Sequence, residues 1–85
     1  MVSLDTIKKN FKNFVYNVSK KKTKKLTQED SLSFSRQARI FIKLIEEKGF
    51  ISEAETLEKI RRKVVRDSFI EDRNVRDLNE ILNVL

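Results

Sequence analysis

Punctuation is nearly absent from this chain: its 85 residues include one glycine, Gly49, and no proline. A β-rich fold of that length needs several tight turns, and Gly and Pro supply the positive or locked φ angles those turns require. The chain therefore reads as helices joined by short polar links. The spacing of its apolar residues says the same. Leu4, Ile7, Phe11, Phe14, Val15 and Val18 recur at steps of three and four, which places them on one stripe of a helix over about residues 4 to 19. Ser3 or Asp5 is available as its N-cap.

Residues 20 to 25 read Lys-Lys-Lys-Thr-Lys-Lys, where mutual repulsion opposes continued helix, and the segment reads as a solvated link or frayed helix end. Thr27 followed by Asp30, or one of Ser31, Ser33 and Ser35, then offers a helix start. Phe34, Ala38, Phe41 and Ile45, widened by Ile40 and Leu44, define a second helix over about 29 to 48. It stops at Gly49, which takes the left-handed conformation while Phe50 folds back on the last turn. Ser52 with Glu55 has the spacing of a capping box for a third helix from about 53. That helix buries Ala54, Leu57, Ile60 and Val64 and can continue through Val65 to Phe69. Asp72 or Asn74 can cap again, and Val75, Leu78, Ile81, Leu82 and Leu85 mark a short fourth helix.

The expected fold is all-α: one domain over residues 1–85, a small antiparallel bundle of three to four helices with a basic link at about 20–26. Whether the fourth helix docks on the core is open. A chain this short buries a modest core, so its stability is narrow, and a homodimer would relieve that.

Catalysis has little to work with. Histidine and cysteine are absent, which removes the usual general base, the best nucleophile and the thiolate ligands of zinc, and no Gly-rich loop cradles phosphate. Glu46 with Glu47, or Glu53 with Glu55 and Glu58, could form a carboxylate pair, but a solvated helix face and a favourable first turn explain them as well. No enzyme activity, metal or cofactor is expected. The longest apolar runs, such as Ile40 to Ile42, fall far short of the roughly 20 residues of a membrane span. The start Met1-Val2-Ser3-Leu4-Asp5 lacks the pattern of a secretory signal, so a cytoplasmic location is expected.

Charge is the most informative feature. The net charge is +6, yet residues 1 to 25 alone carry eight Lys and one acid, while the remaining residues carry eleven Lys plus Arg against twelve acids. The candidate contact surface is thus Lys20, Lys21, Lys22, Lys24 and Lys25, aided by Lys8, Lys9 and Lys12, and its role is neutralisation of phosphates. A solubilising link is the bland counterpart. Because the cluster is all Lys, and Arg is the better bidentate reader of guanine, non-specific contact is expected rather than base readout.

Arg61, Arg62, Lys63 and Arg66 are further candidates for contacts to a nucleic-acid backbone, as part of a helix-turn-helix built around Gly49. Against that reading, Glu53, Glu55 and Glu58 stand where a recognition helix meets the bases, and Glu55 with Lys59 and Glu58 with Arg62 are spaced to pair within the helix. The first helix, with its Phe-bearing and Lys-bearing faces, also has the form of an interfacial membrane helix, although Phe11 and Phe14 are more simply core. A protein partner needs only an exposed apolar patch, for which Ile42, Phe69 and Ile70 are the candidates, although each could equally be buried by a longer fourth helix.

Leu57, Ile60 and Val64, followed by Leu78 and Leu82, give the last 35 or so residues a spacing that resembles bacteriocin immunity proteins of the enterocin A type. The resemblance implies a small, basic, cytosolic four-helix bundle that protects a producer cell. It carries no functional residue over. The expected function is a small binding or regulatory module whose partner is nucleic acid or, alternatively, a protein, as for an immunity or inhibitor protein.

Overall fold

The computed structural model describes residues 2–85 and shows four α-helices: α1 (Leu4–Ser19), α2 (Gln28–Glu47), α3 (Ile51–Asp67) and α4 (Asp72–Val84). Each helix packs against its two neighbours around a ring, α1 on α2, α2 on α3, α3 on α4 and α4 on α1. The short connections make consecutive helices antiparallel, and the bundle measures 34 × 19 × 18 Å. Helix four is a full member, since Leu78 and Ile81 are buried and α1 lies against it.

The helix ends follow from local chemistry. Ser3 caps α1 through an Oγ that accepts from the Thr6 N–H, and Thr27 caps α2 in the same way, its Oγ1 accepting from the Asp30 N–H at 3.0 Å. Thr27 also stands just before two acids, Glu29 and Asp30, in the first turn of α2, where they complement the helix dipole. At the other end of α2, Gly49 has φ +93°, and the Phe50 N–H reaches back to the Ile45 carbonyl at 3.1 Å while the Gly49 N–H donates to Glu46. This is the expected left-handed stop.

The Ser52–Glu55 capping box does not form. Because the Gly49 turn delivers the chain straight into helix at Ile51, the N-cap is Phe50, and Ser52 already lies in the first turn, where its carbonyl accepts from Thr56 Oγ1. A reach-back bond appears instead at α4: Glu71 is the N-cap, and Asn74 Oδ1 accepts from the Glu71 N–H at 2.9 Å. That bond accounts for Asn74 as a buried polar side chain.

The core combines the expected stripes. Phe11, Phe14, Phe34 and Phe41 form an aromatic cluster where α1 meets α2, with Phe11 edge-on to Phe41 at 5.1 Å and Phe14 stacked near Phe34 at 5.5 Å. Ala38 and Ala54, both buried, are the small residues of the α2 and α3 stripes. One expectation fails here. Ile40 does not widen the α2 stripe but stands 59% exposed, because the stripe is narrow where α1 and α3 meet it. Of the two readings of Ile70, exposed patch or buried side chain, the second holds: it is 1% exposed, although it lies outside α4 in the connection before it.

Of the two readings of the lysine-rich segment, a link and a frayed helix end, the structure shows the link. Between α1 and α2 it runs beside the α3–α4 connection, with the Thr23 N–H donating to the Ile70 carbonyl and the Leu26 N–H to the Ser68 carbonyl, each at 2.8 Å. Lys25 and Phe69 thereby form an isolated antiparallel bridge. Thr23 and Ser68 adopt left-handed φ angles of 61° and 51°, which turn both connections into register. The segment is ordered because its backbone has partners and Leu26 enters the core beside it.

Candidate nucleic-acid interface

The eight lysines singled out in the sequence lie on α1 and on the connection that follows it, and all are exposed. They do not share one fate. Lys21 Nζ sits 2.9 Å from Asp30 Oδ1 on α2, and Lys22 Nζ lies 3.2 Å from Asp72 Oδ1 on α4. Lys21, hydrogen-bonded to the Asp30 carboxylate, holds that carboxyl below the ordinary range. Lys20 turns outward over the ring of Tyr16, its Nζ 4.4 Å from the ring centroid. Among the described residues Lys8, Lys9, Lys12, Lys24 and Lys25 have no carboxylate within ion-pair distance.

The second candidate set behaves otherwise. Arg61 is clamped by Glu58, with Nη2 3.1 Å from Oε2 and Nε also bonded to that carboxylate, while Nη1 reaches Ser35 on α2 at 3.2 Å. The Arg61 guanidinium lowers the Glu58 carboxyl, and Glu58 raises Arg61 in return. Arg62 approaches Glu58 at 3.7 Å, and Arg66 meets Asp67 at 3.1 Å. Lys63 bonds Glu71 at 2.9 Å, which together with Arg73 lowers that carboxyl as well. The expected Glu58–Arg62 pair thus forms, whereas Glu55 and Lys59 are not within ion-pair distance. Arg61, Arg62, Lys63 and Arg66 all have carboxylate partners, and Arg61 is tied between two helices, whereas Lys59 on the same helix has none among the described residues. The geometry gives no support to a recognition surface on α3.

Sequence reasoning passed over Tyr16. It is the only tyrosine, 61% exposed, and it stands four residues after Lys12 and four before Lys20. Residues so spaced are neighbours along one face of a helix. The i, i+4 spacing around an unburied aromatic was the signal that could have found it.

No helix among the described residues is long and apolar enough to cross a membrane. No protein-family model matches the chain, and neither a curated protein nor a solved structure matches it. The likeness to immunity proteins therefore rests on helix number and apolar spacing alone.

Proposed function

We propose that the protein is a small non-catalytic module that binds nucleic acid non-specifically through the outer face of α1 and the connection behind it. One observation carries this reading: Lys8, Lys9, Lys12, Lys20, Lys24 and Lys25 are exposed and have no carboxylate partner among the described residues, whereas Arg61, Arg62, Lys63 and Arg66, the other candidate set, are paired within the protein. Unpaired ammonium groups exchange their counterions for phosphates without first breaking an internal bond. Because the segment is held by backbone hydrogen bonds to the α3–α4 connection, little ordering is needed on binding.

The test is fluorescence anisotropy with labelled duplex and single-stranded oligonucleotides at about 50 and 200 mM salt. Six phosphate contacts predict a slope of log affinity against log salt of about −5 on duplex. Changing Lys8, Lys9, Lys12, Lys24 and Lys25 to Gln removes most of that slope, roughly one unit per lysine. The Lys21→Gln, Lys22→Gln double variant loses less per residue, because those groups must give up Asp30 and Asp72. Absence of binding at low salt refutes the proposal.

A protein-interaction module is the second reading, favoured by Leu32 and Ile40 on the outer face of α2, 49% and 59% exposed with Arg36 between them. Loss of a partner's binding on changing both to Ser, with the lysine variants unaffected, is its signature.

A further inference from the structure

The face that carries the unpaired lysines also carries the one large exposed aromatic group on α1, and the arrangement is not that of a plain cationic strip. Lys9, Lys12, Tyr16 and Lys20 follow one another at steps of three and four along α1, so their side chains emerge on the solvent side. At about 1.5 Å of rise per residue the row is roughly 16 Å long, enough to span a few nucleotides of one strand. Within it the Tyr16 ring is 61% exposed and keeps Lys20 at 4.4 Å from its centroid. The ring makes no packing contact with another aromatic group, unlike the four phenylalanines of the core. Nothing in the stability of the bundle calls for an aromatic residue at this place.

We infer that Tyr16 is a stacking platform that makes the α1 face selective for single-stranded over double-stranded nucleic acid, with Lys9, Lys12 and Lys20 holding the phosphates on either side of the stacked base. The inference rests on the nucleic-acid reading above and adds the class of strand. In a duplex the base faces are closed to a side chain on a helix surface, and only the lysines can act. In a single strand each base offers a π-face, and stacking on an aromatic side chain is sequence-tolerant, as a surface without base readout requires. Lys20 covers one face of the ring, so a base stacks on the other face or displaces the ammonium, which then meets that base's phosphate. An anionic lipid surface would meet the same lysines, but within α1 the exposed side chains include one ring and no aliphatic group to enter the hydrocarbon boundary, Val2 standing just before the helix.

Tyr16 supplies its own probe, for the chain contains no tryptophan and no second tyrosine. The experiment titrates the intact protein with an unlabelled 12-nucleotide dT strand, and separately with a 12-base-pair duplex of mixed sequence, while tyrosine emission is followed. Labelled versions of both give affinities by anisotropy for the wild type and for Tyr16→Phe, Tyr16→Leu and Tyr16→Ala. Far-UV circular dichroism confirms that each variant is helical, as substitution at an exposed site should leave it.

The expected result is quenching of emission by the single strand and little change with duplex. Tyr16→Ala and Tyr16→Leu lose about tenfold or more in single-strand affinity, Tyr16→Phe retains it, and duplex affinity moves by less than about twofold in all three. If both oligonucleotides bind with the expected salt dependence, but emission is unchanged and Tyr16→Ala binds the single strand as the wild type does, the stacking role is overturned and the broader reading stands. If neither oligonucleotide binds, both fall. Tighter association with vesicles of anionic phospholipid than with either oligonucleotide, lost on the same Tyr16 changes, assigns the face to a membrane surface and overturns the inference.

Discussion

Replacement of Ile70 by alanine is the sharpest test of how this bundle is held closed. Ile70 lies outside every helix, in the connection between α3 and α4, yet it is only 1% exposed and its carbonyl accepts the Thr23 N–H at 2.8 Å. The substitution leaves the backbone bond possible and deletes three buried carbons. At about 0.8 kcal/mol per buried methylene the transfer loss alone is roughly 2.4 kcal/mol. The cavity adds to this, so about 3 kcal/mol is expected within the 2–5 kcal/mol typical of such truncations. For a domain of this size each kcal/mol lowers the melting temperature by about 4–8 °C, so Ile70→Ala should melt some 12–24 °C below the wild type. Urea unfolding followed by circular dichroism gives the free energy, and an unchanged dependence on denaturant would show that the unfolded reference has not moved. A loss below about 1 kcal/mol would refute the reasoning, since it is smaller than the transfer loss alone.

Two further outcomes follow from the turns and the ion pairs. Gly49 has φ +93° and no atom within 4 Å of where a Cβ would stand, so Gly49→Ala should cost about 1 kcal/mol from backbone strain alone, whereas Ser68→Gly, at φ +51°, should gain up to about 1 kcal/mol; urea midpoints measure both. The carboxyls of Glu58, Glu71 and Asp30 are lowered by Arg61, by Lys63 and Arg73, and by Lys21, so each contributes stability that is present above its unfolded pKa and is lost as pH falls through the folded one. The melting temperature should therefore drop between about pH 5 and pH 2, and Glu58→Gln should flatten that drop while lowering the plateau near neutrality.

The helices were legible in the sequence because each writes its burial pattern at steps of three and four: Ile7, Phe11, Phe14 and Val18 on α1, and Ala54, Leu57, Ile60 and Val64 on α3 are buried as expected. Gly49 was legible for a different reason, being the one residue that reaches positive φ without strain. What escaped lies in the connections. Ile70 belongs to no periodic pattern, and its burial depends on residues 23 to 26, more than forty positions away. Ser52 and Glu55 matched a capping pattern, but position relative to the first helical residue decides whether a hydroxyl can cap, and the Schellman stop at Gly49 moved that residue to Ile51. The lysine cluster was visible as charge, but its division into paired Lys21 and Lys22 and unpaired neighbours depends on Asp30 and Asp72, which only the folded chain brings near.

The bridge between Lys25 and Phe69 has a kinetic consequence. The packing of α2 on α3 and of α1 on α4 already joins the two helical hairpins; the bridge adds backbone bonds between their connections, so freeing either hairpin ruptures bonds that also belong to the other. The amides of Thr23 and Leu26 should then exchange with deuterium only through whole-molecule unfolding, at rates matching those of residues in the middle of α2. Any ligand that grips the lysines around that bridge slows this global opening, so occupancy could be read as protection on the far side of the molecule, in helices the ligand never touches.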